Sequence, residues 1–281
     1  MVRVCSDSTC DLSDEIVRKY GITIIPLHIL LDDREYRDRV EITQEEIFEW
    51  ADRNRKTPKT SAVSVPDATE VIKPMLDAGD ELIIFTISSM MSTTYNVFNM
   101  VAEDLNATDR VHVVDSMNLS TGIGLLVVEA AVMAKEGYSA EDIVKEMERL
   151  RPKVRASFVI DTLTYLARGG RCSSVVALTG GVLRIHPKII VKNGAMEVSK
   201  KYRGQIKNAV MDYVKDMHYV LLEARRQRVF ITHTCKDREI VEEVRKYLED
   251  LNYFDDVLET RAGGVISSHC GPGTLGVLFI E

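Results

Sequence analysis

The sequence predicts an α/β chain, with a doubly wound, mostly parallel sheet in one domain and an α+β fold with a mainly antiparallel sheet in the next. Short β-rich runs alternate with helical patterns through the first half, the mark of a parallel sheet flanked by helices. In the second half an Asn193-Gly194 pair stands between two β-rich runs, the strongest short-range signal of a hairpin and therefore of antiparallel pairing. A chain of 281 residues also exceeds the usual domain of roughly 100–200 residues. Two domains are expected, 1–154 and 155–281, with any ligand between them.

Taken in order, the first expected strands are Val2 to Cys5 and a long run from Ile22 to Leu31. Thr43-Gln44-Glu45-Glu46 is a capping box, in which the Thr hydroxyl and the Glu carboxylate satisfy each other's free amides, so a helix starts there. Pro58 to Pro66 reads as a loop that ends before a helix near Asp67. Strands at Glu81 to Thr86 and Val111 to Asp115 bracket a helix between Met91 and Leu105, whose Val97, Met100, Val101 and Leu105 form one stripe. Helices over Leu119 to Lys135, stopped by Gly137, and Ala140 to Leu150 close this half. In the second half, helices at Gln205 to Ala224 and Asp237 to Leu251 separate strands at Val229 to His233, Val257 to Thr260 and Gly276 to Ile280.

Composition excludes several classes. With 45% hydrophobic and 28% charged residues the chain can bury a core. A net charge of −7 argues against nucleic acid, and the basic runs Arg149 to Arg155 and Arg225 to Arg228 read as solvated helix ends or a patch for an acidic partner. Apolar stretches at Leu125 to Ala134 and Ala177 to Ile190 are broken by Glu129 or by Gly180, Gly181, Arg184 and His186, well short of about 18 residues, so no membrane insertion is expected. The N-terminus has no signal-peptide pattern. Five scattered cysteines without a C-x-x-C pair fit reduced thiols and a cytoplasmic protein.

Two hydroxyl clusters are the places for chemistry. Ser88-Ser89-Met90-Met91-Ser92-Thr93-Thr94-Tyr95 follows a buried strand and opens a helix, where free amides and the helix dipole suit a carboxylate or phosphate. Ser92 there either donates to such an anion or caps the helix. Thr60-Ser61 lies in the second cluster, which on its own reads more as an ordinary loop plus cap than as a site. His269 and Cys270, if extended, point to opposite faces and cannot share a proton, which disfavours a Cys-His nucleophile. Asp7 and Asp115 end two strands near one crevice and either hold magnesium or cap helices. The absence of a phosphate loop favours caps. The histidines lack zinc spacing. Met90 and Met91 are adaptable apolar residues beside Ser92.

Five motifs in order, Ser6-Asp7-Ser8, Thr60-Ser61, Ser88-Ser89-Met90-Met91-Ser92-Thr93-Thr94-Tyr95, Gly169-Gly170-Arg171 and His269-Cys270-Gly271-Pro272-Gly273, resemble those of the DegV family from end to end of the chain. The resemblance implies a fatty-acid carrier. A long-chain acid such as hexadecanoate would lie between the domains with its carboxylate on Thr60 and Ser92. Ser61, Thr93, His269 and Arg171 are further candidates: His269 either lines the head-group end or steadies its loop, and Arg171 either screens the carboxylate, contacts the kinase or forms a structural ion pair. It implies no cofactor, no metal, no intrinsic catalysis, and presentation of the acid to a fatty acid kinase for acyl phosphate and phospholipid synthesis. Contact with a membrane is at most transient. Burying about fourteen methylenes at roughly 0.8 kcal/mol each offers on the order of 11 kcal/mol before ordering costs. The family's Gln-Pro after Thr-Ser is Ala62-Val63 here, its Gly after the last Ser is Thr93, and His186-Pro187-Lys188 replaces a Lys-Pro. The alternative is a phosphotransferase or acyl hydrolase using Ser92, which needs a base within reach of that hydroxyl.

Overall fold

A computed structural model describes residues 1–176, 178 and 185–281. The interrupting residues Gly180, Gly181 and Arg184 lie outside the described residues.

The first half runs β1 (Val2–Asp7), α1 (Asp14–Tyr20), β2 (Thr23–Ile25), β3 (His28–Leu31), β4 (Arg34–Arg37), α2 (Gln44–Asn54), β5 (Lys59–Ser61), α3 (Val65–Asp77), β6 (Glu81–Thr86), α4 (Thr94–Asp104), β7 (Val111–Asp115), α5 (Thr121–Lys135) and α6 (Ala140–Leu150). Its main sheet is fully parallel in the order β2-β1-β6-β7. The second half runs β8 (Val154–Val159), α7 (Thr164–Gly169), α8 (Ser173–Val176), β9 (Ile185–Lys192), β10 (Ala195–Arg203), α9 (Ile206–Asp216), α10 (His218–Leu221), β11 (Arg228–His233), α11 (Arg238–Asp250), β12 (Asp256–Arg261), α12 (Gly264–Cys270) and β13 (Leu275–Ile280). Its sheet, β10-β9-β8-β13-β11-β12, is antiparallel except for β11 and β12. The fold class is the one the sequence predicts.

Local chemistry sets the boundaries. Thr43 and Glu46 form the expected capping box of α2, and Asn193 and Gly194 both take positive φ at the tip of the β9–β10 hairpin. Three expectations need correction. The single strand from Ile22 to Leu31 is two: Pro26 cannot donate to a ladder, and the Leu27 amide turns to the Ser8 hydroxyl at 3.1 Å. That turn sends β3 into a separate three-stranded antiparallel sheet, β4-β3-β5. The loop at Pro58 to Pro66 contains β5, which places Thr60 opposite Ile29, and α3 begins at Val65 on a Ser64 cap. The helix from Gln205 to Ala224 breaks at Met217, which bonds back to Val214 in a tightened turn with no Gly or Pro to announce it.

Between Thr121 and Ala131, α5 is buried at every position except Glu129. It packs between the parallel sheet, at Val4, Phe85 and Val114, and the six-stranded sheet, at Ala156, Phe158 and Leu278, so it needs no polar stripe. One core therefore runs through both halves. A second core lies under β3, α2, α3 and α4, and a third packs α9 and α11 on the outer face of the six-stranded sheet. Among the described residues, no helix is long and apolar enough to cross a membrane.

Candidate functional site

A cavity of about 60 Å³ lies where these cores meet, walled by β5, the β6–α4 turn, Leu119 just ahead of α5 and one side of α12. Its polar end gathers Thr60, Ser61, Ser92, Arg171 and His269, and Leu27, Ile87, Met91, Leu119, Met196 and Ile266 supply apolar wall. Leu119, Ile266 and Cys270 also line a smaller cavity of about 20 Å³ deeper between the sheets, bounded by Phe158 and Leu278.

The polar end is assembled over long distances in sequence. Thr60 Oγ1 lies 2.8 Å from His269 Nε2. Ser92 Oγ is 2.9 Å from Thr94 Oγ1 and accepts the amide of Thr94, the first residue of α4, at 3.3 Å, so from the position before the N-cap Thr93 it steadies the helix start and lines the cavity at once. Ser61 lines the cavity, although its hydroxyl also reaches Glu35 at 3.4 Å. Arg171 is an exposed rim residue tethered to the Gly169 carbonyl at 2.7 Å. Thr93 is exposed and does not line the cavity. Of the two methionines beside Ser92, Met91 is in the wall and Met90 is 69% exposed.

α12, unannounced by any cap or apolar stripe in the sequence, carries His269. The two residues His269 and Cys270 are therefore helical, not extended, and both border the cavity. Burial pushes the Cys270 thiol up to about 12, with Asp11 and Cys172 adding to it, so no thiolate forms near neutral pH. Burial and the nearby Arg171 charge push His269 down to about 4, which keeps the imidazole neutral. Its Nδ1 is shut off from water without a hydrogen-bond partner. A Cβ on Gly169 would lie 2.4 Å from that atom, so only glycine lets the ring sit there. A Cβ on Gly271, at φ +73°, would meet Tyr165 at 2.7 Å, so this glycine fixes the sharp exit from α12. Two of the sequence motifs thus serve to seat one histidine.

The other end of α12 is held by the first half of the chain. The Gly263 amide donates to Asp11 Oδ1 and the Gly264 amide to Asp38 Oδ1, each at 2.8 Å. Ser120 and Ser8 hydroxyls occupy the second oxygens of Asp11 and Asp38 at 2.5 and 2.7 Å. Gln44 Nε2 anchors the same segment through Ala262 O and Ser267 Oγ. These carboxylates gave no signal in the sequence. Burial raises Asp38 and pushes Asp11 up to about 7. Asp7 receives Thr9 and the Ile87 amide, and burial raises it to about 6. Asp115 accepts the Ser89 hydroxyl and amide and the Met117 amide, so Asp7 caps a short 3-10 turn whereas Asp115 pins two loops and caps no helix. His186 is tied to the carbonyls of Ile160 and Gly204, away from the cavity. Among the described residues no cluster has the makings of a metal site, and all five cysteines are free and buried.

Comparison with known proteins bears on this geometry. A family model described as "Uncharacterised protein, DegV family" matches residues 1–281. A DegV domain-containing protein of Caldanaerobacter subterraneus subsp. tengcongensis is 33% identical, covering 100% of this chain and 99% of its own. A fatty-acid-binding DegV family protein of Thermus thermophilus superposes with a TM-score of 0.91 at 30% identity, covering 100% and 99% of the two chains. A stearic acid-binding protein of Eubacterium ventriosum superposes with a TM-score of 0.86 at 29% identity, covering 100% and 98%.

Proposed function

We propose, from the premise that the chain belongs to the DegV family, that it binds a long-chain fatty acid in the cavity between its main sheets, with the carboxylate on Thr60 and Ser92. The observation that carries this reading is a polar end of hydroxyls and one neutral histidine on an otherwise apolar cavity. Since Nδ1 has no donor to receive and no acceptor to reach, the less costly tautomer leaves it bare and puts the proton on Nε2. Nε2–H then donates to Thr60 Oγ1, and the Thr60 proton is left to face the ligand. Neutral donors orient a carboxylate, and the buried chain supplies the affinity.

The cavity of about 60 Å³ holds only a few water-sized probes at roughly 10–15 Å³ each, so a long chain enters by displacing wall residues toward the deeper cavity. Met91 and Met196, unbranched and polarizable, suit that role. In this reading the protein performs no chemistry alone and presents the acid to a fatty acid kinase at the exposed Arg171 rim. The Ser92 hydroxyl is paired with Thr94 rather than with a base, which favours carriage over hydrolysis. Five free thiols suit the cytoplasm.

Lipid extraction of the purified protein followed by mass spectrometry should yield about one equivalent of long-chain acid. A preparation that contains none and takes none up overturns the proposal. With ATP the isolated chain should make no acyl phosphate until a fatty acid kinase is added.

A further inference from the structure

We propose that the outer face of the six-stranded sheet carries a second ligand site, for a single-chain amphipathic anion such as an alkyl carboxylate or alkyl phosphate.

The site follows from register. Lys188, Ile190 and Lys192 alternate along β9 and so share a face, and Ile190 pairs with Ser157 of β8, two residues from Arg155, which in turn pairs with Phe279 of β13. α9 covers the middle of this face through Tyr213 and Val214. The chain then breaks at Met217, and α10 stops at Leu221, so the corner over β8 and β9 is left uncovered. The groove there measures about 390 Å³, within the roughly 300–1,000 Å³ typical of small-ligand sites. It shares no lining residue with the interdomain cavity.

Its lining divides into two kinds. Met217, Val220 and Phe279 make an apolar floor, and Arg155, Lys188 and Lys192 supply three cations with no carboxylate beside them in the wall. Arg155 is already bridged to Glu281, and Lys192 stands 3.8 Å from Glu197. Lys188 is different. Its ammonium sits 5.3 Å from the centroid of the Tyr213 ring and forms no ion pair among the described residues. The carboxylate whose charge reaches Lys188, Asp216, is engaged by Lys200 and by the Tyr202 hydroxyl. Partial burial depresses the Lys188 ammonium, with the Lys200 charge adding to it, and the Asp216 carboxylate, shared with Lys200, offsets this only in part. An anionic head on Lys188 and Lys192 would complete that offset, and one alkyl chain would cover the floor. The basic run from Arg149 ends at this groove in Arg155. The site stands whichever ligand fills the interdomain cavity.

Dodecyl phosphate below its micellar concentration, titrated calorimetrically into the protein, should give a saturable event. Lys188→Gln and, independently, Val220→Asp should each weaken it at least tenfold, Ser92→Ala should leave it unchanged, and dodecanol should bind at least tenfold more weakly. Thermal melts of both groove variants check that they fold. No saturable event, or one removed by Ser92→Ala and spared by both groove variants, overturns the proposal. Inorganic phosphate competing equally well removes the apolar half of the site. Sedimentation with phosphatidylglycerol vesicles without binding of monomeric dodecyl phosphate assigns the cations to a bilayer surface and overturns it as well.

Discussion

The two ends of α12 handle buried polarity in opposite ways. At its N-terminal end, the Gly263 and Gly264 amides meet Asp11 and Asp38, and the remaining carboxylate oxygens are filled by Ser120 and Ser8. At its C-terminal end His269 has one partner, Thr60, and one bare nitrogen. A closed network is what a scaffold needs, because every unmet buried group costs free energy. An open one is what a ligand needs. The difference teaches that satisfaction, more than burial or charge, separates the clamp from the binding end.

The largest test breaks the clamp. Asp38→Leu removes the acceptor for Ser8 and for the Gly264 amide, and at about 1–3 kcal/mol for each stranded donor it should destabilise the fold by about 2–6 kcal/mol in urea denaturation. An unchanged midpoint would show that the Asp38 half of the clamp contributes nothing to holding α12.

Next in size is pH. Asp11 has a native pKa of about 7, above its ordinary 3.8, so its contribution is complete below about 3.8 and is lost as pH rises through about 7. His269 is the mirror case. With a native pKa of about 4 against 6.5, its contribution is complete above 6.5 and is lost as pH falls through about 4. The two oppose each other between pH 4 and 6.5. The stability lost through Asp11→Asn should shrink as pH rises, and that lost through His269→Gln should grow, each by on the order of 1 kcal/mol per pH unit. Parallel difference curves would mean that the two ends do not differ in protonation as described.

At the open end, Thr60→Val should weaken fatty-acid binding roughly 10–100-fold, the equivalent of about 1.5–3 kcal/mol for a hydrogen bond to a charged group, with little change in melting temperature. Equal loss of stability and affinity would place Thr60 with the scaffold. The smallest effect belongs to Thr93→Ala, an exposed position outside the cavity, where affinity and stability should stay within about 0.5 kcal/mol.

Much of this was legible in the sequence, for identifiable reasons. The parallel strands β6 and β7, the capping box at Thr43 and the Asn193-Gly194 hairpin are local signals, each complete within a few residues. Thr60, Ser61, Ser92, Arg171 and His269 came from ordered motifs and do line one cavity. Thr93, drawn from the same motifs, sits outside it because the side chain after Ser92 turns to solvent as α4 begins. The clamp was not legible. Asp11 and Asp38 lie 252 and 226 residues from the amides they accept, and no short-range pattern marks a pairing of that kind. The break at Met217, on which the outer groove depends, was hidden because the helical pattern runs on through it.

The position of β13 has a consequence for biosynthesis. This strand, the latest in chain order among the described residues, lies in the interior of its sheet between β8 and β11 rather than at an edge. Until it is translated, β8 and β11 each present an unpaired ladder. From Val159 to Ile280 a ribosome working at roughly 5–20 residues per second needs about 6–24 s. For that interval β8 lacks its inner partner, and once His233 is made β11 lacks its own, so the nascent protein carries open β-edges that give a chaperone something to protect.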